Sequence, residues 1–132
     1  MTEDWIWGTV EVAIAAHAEQ VAEHGGGEGV RDPGLLESAM ARPRNLAAYG
    51  EPDAAGLAAA YAYGIARNHP FVDGNKRTAA VVSETFLMIN GHRLGASDAG
   101  LVVAFLALAA SELSEGEMAD WFRSHLAGPV SA

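Results

Sequence analysis

"NHPFVDGNKRTAAVVSETFLMING", residues 68–91, holds two kinds of chemistry in one run. Its second half, 77–89, is apolar on nearly every side and stops at Asn90-Gly91, which predicts a helix buried at the centre of the fold. Its first half packs a histidine, an aspartate, a glycine-asparagine pair and two adjacent cations into ten residues. One of those cations, Lys76, is the chain's single lysine; the other seven cationic residues are arginine.

Outward from this stretch the pattern is helix, punctuation, helix. Val10, Ile14, His17 and Val21 recur at helical spacing over 9–23, and Gly25-Gly26-Gly27 ends that helix. Asp32-Pro33 reads as an N-cap followed by proline at the first helical position, opening a helix expected to end before Pro43. Residues 43–53, "PRNLAAYGEPD", are expected as a loop or short hairpin bounded by proline and glycine. Asp53 can cap the alanine-rich stretch 54–67. Ser97 can cap a helix running to about Ala110. Ser114 and Glu117 form a capping box for a last helix ending at Gly128-Pro129. The expectation is an all-α fold of about six helices around the central helix 77–90, in a single domain spanning 1–132.

Composition bounds the function. A length of 132 residues suits one domain, and 50% apolar with 19% charged residues is an ordinary globular balance. With no cysteine in the chain, neither a disulfide framework nor a thiolate metal site is available. A formal charge of −9 argues against direct binding to nucleic acid or an anionic membrane, which draws on basic surface. No leader pattern opens the chain. The longest apolar run, residues 99–110, falls short of the ~20 residues a bilayer needs. A soluble, reducing, cytoplasmic setting is expected.

The chemistry sits at 69–77. Asp73-Gly74-Asn75 is turn material directly ahead of a helix start, where the first backbone N–H groups lack intrahelical partners and carry the positive end of the dipole. Such a terminus is an anion site. Gly74 lets backbone approach a phosphate closely, and Lys76 and Arg77 add charge and donors. Asp73 can hold Mg²⁺ with the help of phosphate oxygens. His69, four residues earlier, can deprotonate a hydroxyl that attacks a bound phosphate. The spacing of "GNKRT" does not fit a P-loop.

The same residues resemble the signature of the Fic/Doc superfamily. "HPFVDGNKRTA" has its histidine, its phenylalanine two on, its acidic residue four on, and asparagine-X-arginine in the family's order. It is most similar to the Doc, or death-on-curing, branch of toxin–antitoxin toxins. "HGGGEGVRDPGLLESAMARP" (24–43) and "FLMINGHRL" (86–94) also look like Doc segments. The resemblance covers most of the chain, thins after about residue 95, and implies an all-α fold.

It also implies roles. His69 would be the general base, Phe71 the apolar anchor of the loop, Asp73 the Mg²⁺ ligand, and Gly74, Asn75, Lys76 and Arg77 the phosphate cradle. Catalysis would rest on His69, Asp73, Lys76 and Arg77. The wider pattern "HxFxDGNGRxxR" has glycine where this chain has Lys76 and arginine where it has Ala80. Fic enzymes usually transfer AMP. The Doc branch, which shares the lysine, is associated with moving the terminal phosphate of ATP to a threonine of elongation factor Tu. The resemblance therefore implies a protein kinase toxin that uses ATP and Mg²⁺, held by a Phd-like antitoxin whose tail folds on binding. A Fic-type AMP transferase and an inactive binding module are the alternatives.

Several residues read more simply. His17 lies on an apolar stripe and reads as a packing histidine; Trp5 and Trp7 read as core or N-terminal packing. His24, His92 and His125 read as surface residues. Ser111 to Gly116 fits the short [ST]xxxE[GN] form of a Fic self-inhibitory motif, but the capping box at Ser114 already accounts for these residues. Control by a separate antitoxin is expected instead. Leu46 and Tyr49, apolar in a turn-rich stretch, mark where its tail is expected.

Overall fold

A computed structural model describes residues 4–129. Six helices follow one another: α1 (Val10–His24), α2 (Pro33–Tyr49), α3 (Ala54–Asn68), α4 (Asn75–Ile89), α5 (Asp98–Ala109) and α6 (Glu115–His125). A two-stranded antiparallel ribbon, β1 (His92–Leu94) with β2 (Leu126–Pro129), is the one named sheet among the described residues. The all-α architecture read from the sequence holds.

Local chemistry fixes most boundaries. Thr9, Asp32, Asp53, Ser97 and Ser114 each accept a backbone N–H from the first turn of α1, α2, α3, α5 and α6, and Ser114 with Glu117 completes the capping box. Gly25 closes α1 in the left-handed region.

Helix α4 is buried through Thr78, Ala79, Ala80, Val82, Ser83, Phe86 and Leu87. Its neighbour α3 is enclosed further still, with eleven of its fifteen residues buried, seven of them alanine. Alanine on every side lets α2, α4, α5 and α6 all pack close to α3. Trp5 and Trp7 lie about 6 Å from Phe86, so they pack on the core as expected. Asn90 clasps the same N-terminal segment, donating to Ile6 O at 2.9 Å and accepting from Ile6 N–H at 2.9 Å.

Three expectations are corrected. Helix α2 does not end before Pro43; it runs through it to Tyr49, so the loop or hairpin expected from 43 onward begins only at Gly50. Pro43 continues the buried stripe Leu36, Ala39, Met40, and its ring is itself buried. The Ala39 carbonyl, which loses its i+4 donor to the proline, faces Gly64 of α3, where a Cβ would come within 3.2 Å of it. On α1 the inward face is Ala13, Ala16 and His17, and Ile14 is 44% exposed. The small residues face inward because α1 lies against α4. The last helix stops at His125, and 126–129 pair with β1 instead of extending it.

Candidate active site

The stretch 68–77 forms a tight connection between the end of α3 and the start of α4. His69 is the C-cap of α3 and adopts a left-handed backbone, φ 49° and ψ 55°. A non-glycine residue there carries strain that its surroundings must hold. The holding groups come from the segment between α1 and α2. Arg31 donates from Nε to His69 O at 2.7 Å and from Nη2 to Asn68 O at 2.9 Å. Its backbone N–H, with that of Asp32, reaches Pro70 O, and Val72 N–H reaches Gly29 O. A cation on the last carbonyls of α3 also complements the negative end of its dipole.

The turn then descends into the core and returns. Phe71 is 1% exposed, as an apolar anchor should be. The Asn75 side chain is buried and fully engaged with it: Oδ1 accepts from Phe71 N–H at 2.9 Å and Nδ2 donates to Phe71 O at 3.0 Å. Asn75 thus closes the loop with its side chain, which leaves its backbone N–H for a ligand.

Gly74 is the N-cap of α4 in the left-handed region, φ 71°, and no side chain caps this helix. All five other helices have such a cap. The N–H groups of Asn75, Lys76 and Arg77 therefore face outward with the side chains of Lys76 and Arg77, both exposed, beside them. Thr78 N–H is already taken by Gly74 O.

A pocket of about 870 Å³ opens at this terminus. His69, Asp73, Gly74, Asn75, Lys76 and Arg77 all line it, so every site residue named from the sequence is brought to one place. The far wall is apolar, from Val81, Leu101, Val102, Phe105 and Leu106. Ala80 lines it too, followed one turn on by the half-buried Glu84, whose carboxyl is pushed up by burial and by the nearby Asp98. Asp73 is exposed, and its Oδ1 accepts from Gly74 N–H at 2.8 Å. No group of three or more His, Cys, Asp or Glu gathers to bind a metal among the described residues. A single carboxylate beside an anion site nevertheless suits Mg²⁺, which is bound by one or two carboxylates together with phosphates.

Some contributors escaped the sequence reading. His17 is 4% exposed, lies flat on Phe71 with ring centroids 4.1 Å apart, and donates from Nε2 to Asp73 O at 2.8 Å. Gly26 and Gly27 do more than end α1. A Cβ on Gly26 would stand 2.8 Å from Asp73 Oδ2, and one on Gly27 would stand 2.6 Å from Val72 Cγ1, so a side chain at either would push Asp73 or Val72 aside, and Gly26 also holds φ 114°, which favours glycine. His24, exposed as expected, also lines the pocket, with Gln20. Arg67 and Asn68 do not reach it; Arg67 lies over Tyr63 and Asn68 donates to Leu35 O. Glu115 pairs with Arg42 rather than with any group of the pocket.

This geometry meets its relatives at the level of family. Residues 7–87 match the Fic/DOC family, and the chain belongs to it. It is 51% identical over 75 residues to Toxin Doc of Mycolicibacterium smegmatis, covering 54% of this chain and 57% of that protein. It is 35% identical over 114 residues to Protein kinase doc of Escherichia phage P1, covering 86% of this chain and 90% of that one. Both relatives carry the Doc name, so the Doc branch inferred from "HPFVDGNKRTA" holds.

Proposed function

We propose that the chain is a Doc-type toxin that transfers the terminal phosphate of ATP to a serine or threonine hydroxyl of another protein. The observation that carries the reading is the uncapped N-terminus of α4, flanked by Lys76 and Arg77 and sharing one pocket with His69 and Asp73. Free N–H groups, the helix dipole and two cations form a seat for a polyphosphate. His69 takes the proton from the acceptor hydroxyl, its oxygen bonds to the terminal phosphorus, and the bond to the bridging oxygen breaks to leave ADP. Lys76 and Arg77 hold the charge that spreads over the phosphoryl oxygens. Asp73 would hold Mg²⁺, which supplies charge neutralisation on the phosphates when bound.

Lys76 supports phosphate over AMP transfer, because its side chain fills space that a glycine at 76 would leave to a phosphate. The kinase named among its relatives points the same way. A translation factor resembling elongation factor Tu is the target we assign, in the cytoplasm, with arrest of translation as the outcome. A cognate Phd-like antitoxin would restrain it, its tail folding on binding against the end of α2, where Tyr49 is 92% and Leu46 39% exposed. Incubation with α- and γ-labelled ATP, Mg²⁺ and a cell extract tests the reading. Label transferred from γ alone supports it; label from α means AMP transfer; no transfer overturns the enzymatic assignment. No helix among the described residues is long and apolar enough to cross a membrane.

A further inference from the structure

We infer that His17 is a positioning residue for this reaction, setting the place of the Asp73 carboxylate and of the Gly74 cap through a hydrogen bond to the Asp73 backbone. The inference rests on the phosphate transfer proposed above. A carbonyl oxygen can only accept, so Nε2 carries the proton in the 2.8 Å bond to Asp73 O. The ring lies parallel to that of Phe71, 7° between planes, which fixes the direction in which Nε2 points. Gly74 is in reach as well: a Cβ there would stand 3.9 Å from His17 Cδ2. One side chain therefore touches the loop anchor and the acidic residue and lies beside the helix cap.

Packing alone does not account for this histidine. Helix α1 buries only Ala13, Ala16 and His17, and an apolar side chain could fill the third place without a polar atom to satisfy. The bond it makes goes to the one loop that turns between the base and the phosphate seat. Gln20 and His24, one and two turns further along α1, line the pocket wall. His17 thus ties that wall to the pocket floor. A displacement of about 1 Å in a reacting group can cost on the order of a hundredfold in rate.

Two variants separate the ring from the donor. His17→Phe keeps the stack on Phe71 and removes the hydrogen bond; His17→Gln keeps a donor at comparable reach and removes the ring. Phosphate transfer, Mg²⁺-dependent ATP affinity by calorimetry, and amide exchange at 72–75 without nucleotide are measured on wild type and both variants. The expected result is that His17→Phe folds, loses about ten- to a hundredfold in kcat, and exchanges faster at Gly74 and Asn75, while His17→Gln recovers at least half of the loss on a logarithmic scale. Wild-type transfer and exchange in His17→Phe overturn the inference, because packing would then be sufficient. Where His17→Phe fails to fold, His17→Gln is compared with His17→Ala, measured in the same way: wild-type exchange at 72–75 in His17→Gln alone upholds the inference, and equal exchange in the two overturns it. A wild type that transfers no phosphate overturns the kinase reading instead, and the exchange measurement still judges His17.

Discussion

Asn75→Ala tests whether the motif's asparagine builds the loop or binds the ligand. Its amide supplies the partners of both Phe71 N–H and Phe71 O, in a place where Asn75 is 8% and Phe71 1% exposed. Neither Phe71 group has another bond among the turn and loop contacts, so truncation leaves a buried donor and a buried acceptor unmet. Each costs about 1–3 kcal/mol, or about 2–6 kcal/mol together. In a domain of this size 1 kcal/mol moves Tm by roughly 4 °C, so the melting point should fall by about 8–24 °C. The assay is a thermal melt followed by circular dichroism, without nucleotide, with Asn75→Ala and wild type at equal concentration. A fall of less than about 2 °C would refute the loop-closing role, and weakened ATP binding in the same variant would then return the amide to the phosphate cradle.

Replacing His69 by glycine should lower phosphate transfer by about 10²–10⁴-fold without lowering Tm, since glycine accepts the left-handed backbone that histidine is held in; a γ-label assay and a melt check both parts. Lys76→Gly should lower phosphate transfer roughly tenfold to a hundredfold, for the loss of an ion pair to phosphate of about 1–3 kcal/mol. Lys76→Gly with Ala80→Arg should show more AMP transfer than either change alone, read by the mass added to the target. Asp53 is held below its ordinary 3.8, mainly by the hydrogen bond from Arg123 and also by Gly56 N–H. Its stabilisation is therefore complete above that value and lost as pH falls through the lowered one. Asp53→Asn, which keeps the capping oxygen, should flatten the acid limb of Tm against pH and leave the rest of the curve unchanged in shape.

What could be read from the sequence was what one or two turns of chain decide. Asp32, Asp53, Ser97 and Ser114 announce helix starts because their oxygens bond N–H groups three residues on, and the structure uses each of them so. Pro43 misled because its usual effect is local, whereas its place here is settled by α3: the ring extends a buried stripe, and Gly64 lies against the carbonyl it frees. Ile14 misled for a related reason. Hydrophobicity ranks it above Ala13 and Ala16, but close approach to α4 favours small residues, so the apolar stripe turns by one position. The ribbon of 92–94 with 126–129 joins two short segments far apart in the chain, and nothing within either marks it.

The site divides along the same line. Residues 69–77 announce themselves because turn, cap and charges are contiguous, and the fold gathers His69 and 72–77 around one pocket. What holds them arrives from 17 to 31, through a histidine that resembles core packing, glycines that resemble a helix stop, and an arginine with no local role. Arg31, His17 and Gly29 have in common that each bonds backbone of the motif. Arg31 bonds two carbonyls, His17 bonds one and Gly29 O accepts Val72 N–H, while Gly26 and Gly27 lie against the side chains of Asp73 and Val72. Holding backbone leaves the side chains of His69, Asp73, Lys76 and Arg77 unspent within the fold. Among the described residues three of those four make no side-chain hydrogen bond, and Asp73 accepts only from its own neighbour Gly74. Groups kept in place by their main chain, with their side chains still available, are what a site must offer before its substrate arrives.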